Sequence, residues 1–123
     1  MSKPGKTGIA RIIDATRYSK QGLLAAWRNE SAFRQECTLA LLLLPLAWLL
    51  GTSAAERSAL IAVLGLVLIT ELLNSGIEAV VDRIGEEHHE LAGRAKDMGS
   101  AAVFISLVLV LVVWGMVAIQ RFL

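Results

Sequence analysis

Four side chains in the second half of the chain, Glu71, Asn74, Glu78 and Asp82, are spaced three, four and four residues apart. At about 100° per residue this spacing places all four on one face of a helix. The residues just upstream are apolar, so the stripe carries carboxylates toward a hydrophobic layer. A carboxylate facing lipid at a bilayer centre costs at least about 3 kcal/mol, so the stripe must face protein, water or an ion. Such a face can hold an ion, relay protons as in a small transporter subunit, or pack helices through Asn74, Ser75 and Gly76.

A second charged tract follows Gly85: Glu86, Glu87, His88, His89 and Glu90, then Gly93, Arg94, Ala95, Lys96, Asp97 and Met98. Its imidazoles could take a metal, but adjacent histidines do not share a helix face. The tract is therefore predicted to be a short solvated connection. Lys96 and Asp97 serve equally well as interfacial anchors.

The elements that must position these residues are apolar. Of 123 residues 55% are hydrophobic, while charge is confined to a few stretches. A small soluble domain cannot hide that much apolar surface, so the composition predicts an integral membrane protein. Three runs stand out, near 37–50, 54–70 and 98–119, the last free of charge. The first run is short for a span. It becomes adequate if the helix starts near Ala32, with Arg34, Gln35 and Glu36 snorkelling or facing protein. Pro45 is expected to bend that helix, and Glu56 and Arg57 to snorkel outward at the start of the next.

The predicted architecture is all-α in one domain over 1–123: an N-terminal surface helix at 7–29, spans at 32–50 and 98–119, and between them a span with a cytoplasmic extension at 53–83. The surface helix follows from Ile9, Ile12, Ile13, Leu23, Leu24 and Trp27 recurring at helical spacing opposite Arg11, Arg17, Lys20 and Arg28. Ser19 and Gly22 make a break near its middle plausible. Three helices shield the polar stripe poorly, which predicts a homo-oligomer.

Positive charge sets the orientation. Lys3, Lys6, Arg11, Arg17, Lys20, Arg28 and Arg34 precede the first span, Arg57 alone lies between the first two, and Arg83, Arg94 and Lys96 lie between the last two. The N-terminus and second connection are therefore expected in the cytoplasm and the C-terminus outside. Trp48 and Trp114 then fall toward the external ends of their spans, where indoles favour the headgroup region. The N-terminus has no continuous apolar core of a cleaved signal peptide, so the first span is expected to target the chain. Net charge is +1, which gives no indication of a nucleic-acid partner. Cys37 is expected to be a buried structural thiol.

The segment from Glu71 to Arg83, ELLNSGIEAVVDR, followed by Gly93 to Val103, GRAKDMGSAAV, closely resembles the signature of the prokaryotic integral-membrane diacylglycerol kinases. The resemblance extends upstream through Arg11-Ile12-Ile13, Tyr18-Ser19, Gly22-Leu23, Ala25-Ala26-Trp27, Asn29-Glu30 and Ala32-Phe33-Arg34-Gln35-Glu36. It departs mainly in the first and third spans and at His88, where many relatives are expected to carry an aromatic residue. The resemblance implies a homotrimer in the bacterial inner membrane that moves the γ-phosphate of Mg-ATP onto the hydroxyl of diacylglycerol. By position, Glu71 looks like the general base, with Asn74 supporting, and Glu30 and Glu78 look like Mg²⁺ ligands beneath the nucleotide. Arg11, Tyr18, Glu87, His88, His89, Lys96 and Asp97 look like further ATP contacts. Arg11, Ser19, Lys20, Trp27, Phe33, Arg34, Gln35, Glu36, Glu71 and Ser100 look like lipid contacts.

Phosphoryl transfer needs a divalent ion on the phosphate oxygens, cations around the charge and a group to take the hydroxyl proton, all of which these residue types can supply. No GxxxxGK[ST] loop, kinase Gly-rich loop or DFG-type triplet occurs. The kinase expectation therefore rests on the resemblance. An undecaprenol kinase, using the same machinery on a polyprenyl alcohol, is the alternative within the family.

Overall fold

The computed structural model describes residues 5, 7–85 and 89–123 and contains four helices: α1 Gly8–Asn29, α2 Ser31–Leu50, α3 Ala54–Ile84 and α4 Glu90–Phe122. The last three are each long and apolar enough to cross a membrane. Glu87 and His88, both expected at the nucleotide, lie outside the described residues.

One extended residue, Glu30 at φ −118° and ψ 105°, separates α1 from α2. Arg34 reaches back from α2, and its Nη1 donates to the carbonyls of Trp27 at 2.7 Å and Arg28 at 3.3 Å. A cation on the orphan carbonyls of a helix C-terminus satisfies them and complements the dipole, which fixes where α1 ends. α1 itself is unbroken, contrary to the break expected near Ser19 and Gly22. The Thr16 and Ser19 hydroxyls bond back to the carbonyls of Ile12 and Ala15 and so leave the ladder intact. Pro45 likewise sits inside a continuous α2.

A tight turn at 51–53 reverses the chain between α2 and α3. Ser53 Oγ accepts from the Glu56 amide at 3.1 Å, while Glu56 Oε1 accepts from the Thr52 amide and hydroxyl at 2.9 and 3.0 Å. An N-cap of this kind contributes about 1 kcal/mol. Arg57 crosses the turn, donating from Nε to the Trp48 carbonyl at 3.1 Å with its guanidinium 4.0 Å from the centre of the Trp48 ring. Gly51 admits that crossing, since a Cβ there would stand 2.7 Å from Arg57 Cγ. Glu56 and Arg57 thus build the turn.

α3 is the central helix. Its most extensive contact is with α4, then α2, while α1 touches its neighbours least. Leu60, Leu64, Val67, Glu71 and Asn74 are its buried residues, alternating steps of four and three as in a helix-packing seam. α4 runs antiparallel along this seam. Trp114 Nε1 donates to the Leu60 carbonyl at 3.2 Å, the Thr70 hydroxyl donates to Ser106 Oγ at 3.0 Å, and Lys96 Nζ lies 2.8 Å from Asp82 Oδ1. These three pairs fix the sliding position of α4 on α3.

The connection expected to run through Asp97 is shorter, because α4 begins at Glu90. His89 is its N-cap, with Nδ1 accepting from the Leu91 amide at 3.0 Å, and Glu90 complements the dipole in the first turn. Glu90 through Asp97 are therefore helical. Cys37 is half-buried rather than fully enclosed.

Candidate active site

The polar stripe is the α3 seam continued past the point where it stops being apolar. Leu60, Leu64 and Val67 give way to Glu71 and Asn74 at the same spacing, and both are nearly enclosed, at 7% and 9% exposure. A single chain therefore shields the inner half of the stripe, which the composition alone had suggested it could not do. The physical reason is the close approach of α4: Gly99 lies against Asn74, and a Cβ at position 99 would collide with Asn74 Oδ1. Farther along, Glu78 is half-buried and the Asp82 side chain is 66% exposed, so the stripe opens toward its charged end.

Glu71 is surrounded by like charge. The carboxylates acting on it are Glu78, from one helical face, and Glu30, from the α1–α2 joint. Glu36, at the start of α2, is coupled to Glu71 in turn. The fold thus gathers Glu30, Glu36, Glu71 and Glu78 from three parts of the chain. Among the described residues none of the four stands within 4 Å of a cation, although the Lys96 ammonium, paired to Asp82, also acts on Glu78 from farther away; the ion pairs join Arg17 to Asp14, Arg94 to Glu90 and Lys96 to Asp82. Asn74 Nδ2 donates to Glu78 Oε1 at 3.3 Å, while Asn74 Oδ1 and Glu36 Oε2 are buried without hydrogen-bond partners.

The other expected contacts are spread along the same end of the helices. Ser19, Leu23, Asn29 and Glu30 of α1 and its joint face Leu72 and Ser75 of α3 across a groove of about 670 Å³. Trp27, Arg34 and Gln35 line a second hollow of about 560 Å³. Phe33 is turned into the core at 4% exposure, whereas Arg11, Lys20, Asp97 and Ser100 are exposed. Tyr18 is half-buried beneath the Arg17 guanidinium, 5.2 Å from its ring centre. His89 borders a third hollow, about 620 Å³, between the end of α3 and the start of α4.

Two relationships were not visible in the sequence. Asp82 and Lys96 had been assigned to separate tracts, yet they pair across α3 and α4. Gly99 lies within the segment that carries the resemblance, but nothing there points to Asn74, which it lets α4 reach.

No three His, Cys, Asp or Glu side chains among the described residues converge into a ready-made cation cage. Mg²⁺ commonly binds otherwise, through one or two carboxylates with phosphate oxygens and water filling its octahedron. Glu30 and Glu78, hard anionic donors whose charge acts on Glu71, fit that arrangement.

Three helices long and apolar enough to cross a membrane, with buried carboxylate and amide side chains at their charged end, define an integral membrane protein. Residues 17–118 match the family model of the prokaryotic diacylglycerol kinases. The chain is 55% identical over 109 residues to the diacylglycerol kinase of Haemophilus influenzae, covering 89% of this chain and 92% of that protein. It is 56% identical over 108 residues to that of Escherichia coli K12, covering 88% of each, and 54% identical over 110 residues to that of Pseudomonas aeruginosa, covering 89% of each. The chain belongs to the prokaryotic diacylglycerol kinase family. Every expected site residue except Arg11 falls inside the matched segment.

Proposed function

We propose that this chain transfers the γ-phosphate of ATP to the hydroxyl of diacylglycerol, giving phosphatidic acid and ADP, at the cytoplasmic face of the bacterial inner membrane. The observation that carries the reading is the enclosure of Glu71 in the seam of α3, with the Glu30 and Glu78 carboxylates acting on it.

In this reading Glu71 takes the proton of the lipid hydroxyl. The hydroxyl oxygen forms its bond to the γ-phosphorus, and the bond from that phosphorus to the bridging oxygen of ADP breaks. Burial suits Glu71 to this task, because a carboxylate packed in the seam is held in one place. Glu30 and Glu78 would hold Mg²⁺, with Asn74 steadying Glu78 through its 3.3 Å hydrogen bond. When bound, the ion would supply neutralisation of phosphate charge. Lys96 supplies fixed positive charge near the phosphates, its ammonium steered by Asp82. Arg11, Tyr18, His89 and Asp97, with Glu87 and His88, complete the nucleotide contacts.

The lipid approaches along the groove between α1 and α3 and the hollow at Trp27, Arg34 and Gln35. α1, with Ile9, Ile12 and Ile13 all more than 60% exposed, lies on the inner leaflet with that face in the acyl region. The apolar windows of the spans are only 11 to 22% buried within one chain, which supports assembly into a homo-oligomer, a trimer by family resemblance.

The test is phosphorylation by purified protein of diacylglycerol and of undecaprenol, side by side in one mixed micelle with Mg-ATP. Turnover of diacylglycerol well above undecaprenol is expected. The reverse preference would assign the chain to polyprenyl alcohols, and no ATP-dependent product from either would end the kinase reading.

A further inference from the structure

Gly99 lies in the first half of α4, on the side that faces α3, and with Ser106 is one of the two buried residues of that helix. The atoms nearest to where its side chain would be all belong to Asn74: Oδ1, in outright collision, then Cγ at 3.2 Å and Cα at 3.7 Å. Asn74 Oδ1 has no hydrogen-bond partner among the described residues. What it faces is the Cα–H of Gly99, a weak donor of the kind that recurs where helices pack closely. The amide is thereby held by its oxygen end, which leaves Nδ2 directed at Glu78 Oε1.

The helical geometry gives this contact a consequence for the carboxylates. Asn74 follows Glu71 by three residues, about 60° to one side of it, and Glu78 follows Asn74 by one turn. Thr70, one turn before Asn74, bonds to Ser106 on the same α4 face. α4 therefore grips α3 along a line flanking the acidic stripe, and that grip sets the rotation at which Glu71 and Glu78 project.

We propose that Gly99 is a positioning residue: the absence of a side chain lets α4 clamp the Asn74 amide, and the clamped amide aims the Glu78 carboxylate at the divalent ion. This rests on the assignment of Glu78 to that ion. Any side chain at position 99 must push Asn74 aside, so the loss passes through Asn74 and is absent when Asn74 is already shortened.

The experiment is a four-protein cycle of wild type, Gly99→Ala, Asn74→Ser and the double variant, with Glu78→Gln alongside. Mn²⁺ binding with a non-hydrolysable ATP analogue is followed by water-proton relaxation, and thermal unfolding is followed in the same detergent. Gly99→Ala is expected to weaken Mn²⁺ binding by about 5- to 10-fold in the wild-type background and by less than twofold in the Asn74→Ser background, a non-additivity diagnostic of direct coupling. A purely structural defect would lower the number of binding-competent molecules without moving the affinity. Unchanged affinity in Gly99→Ala, or equal weakening in both backgrounds, overturns the proposal. If Gly99→Ala is too unstable to measure, the double variant must regain the folded, ion-binding state, and failure to do so overturns it equally. Wild-type Mn²⁺ affinity in Glu78→Gln would instead remove Glu78 from the ion; coupling between positions 99 and 74 in thermal unfolding would then persist as packing alone.

Discussion

The Thr70 hydroxyl donates to Ser106 Oγ at 3.0 Å, joining α3 to α4 one residue before Glu71. Thr70 Oγ1 also lies 3.0 Å from the Val67 carbonyl, a second acceptor for its one proton, while the Ser106 hydroxyl donates to the Val103 carbonyl at 2.7 Å. Neither hydroxyl is orphaned when its partner is removed, so the pair is a moderate link rather than an indispensable one.

Thr70→Val and Ser106→Ala are each expected to lower stability by about 0.6 kcal/mol, the average for an interhelical hydrogen bond in a membrane. The double variant should lose little more than either single one, because both remove the same bond. Denaturant unfolding in detergent measures this; full additivity would mean that the two hydroxyls act independently.

Glu71 and Glu78 separate by role. Glu78→Gln removes a hard anionic ligand, so Mn-ATP binding and turnover should fall together. Glu71→Gln should spare Mn-ATP binding while turnover drops by about 100- to 10,000-fold, typical for loss of a positioned base. Titration calorimetry beside the lipid assay distinguishes them. Equal loss of binding in both would assign both acids to the ion.

Lys96 and Asp82 are close but substantially exposed, at 43% and 66% of their side chains. An ion pair this open is screened by water and contributes little to stability, so neither Lys96→Met nor Asp82→Asn should shift the unfolding midpoint much. Lys96→Met should nevertheless raise the KM for ATP sharply, and Asp82→Asn, which keeps the ammonium, should raise it less. Equal effects on KM would show that the pair, rather than the cation, is what the nucleotide needs.

Orientation is tested by labelling. In a Cys37→Ala background, a membrane-impermeant thiol reagent applied to spheroplasts should modify a cysteine placed at Ser53, in the α2–α3 turn, and spare one at Glu90. The reverse pattern would put the acidic end of α3 on the wrong side for cytosolic ATP.

The sequence by itself determined the spans, the carboxylate stripe and the family. Each is a one-dimensional signal: apolar length, residues repeating at the helical period, and a motif from Glu71 through Val103 in which side-chain identity and spacing coincide. It also marked the helix ends approximately, missing how early α4 starts because the capping of the Leu91 amide by His89 depends on a backbone geometry that composition does not encode. Only the tertiary structure decided that Glu36 acts on Glu71, that Lys96 meets Asp82, and that one chain can enclose Glu71 and Asn74. Those outcomes depend on how α4 and α2 slide and rotate against α3, and the sliding is fixed by contacts between residues 25 to 54 positions apart: Gly99 on Asn74, Ser106 on Thr70, Trp114 on Leu60. No local periodicity reports a relation of that range, because each partner is an ordinary helical residue until the other helix arrives.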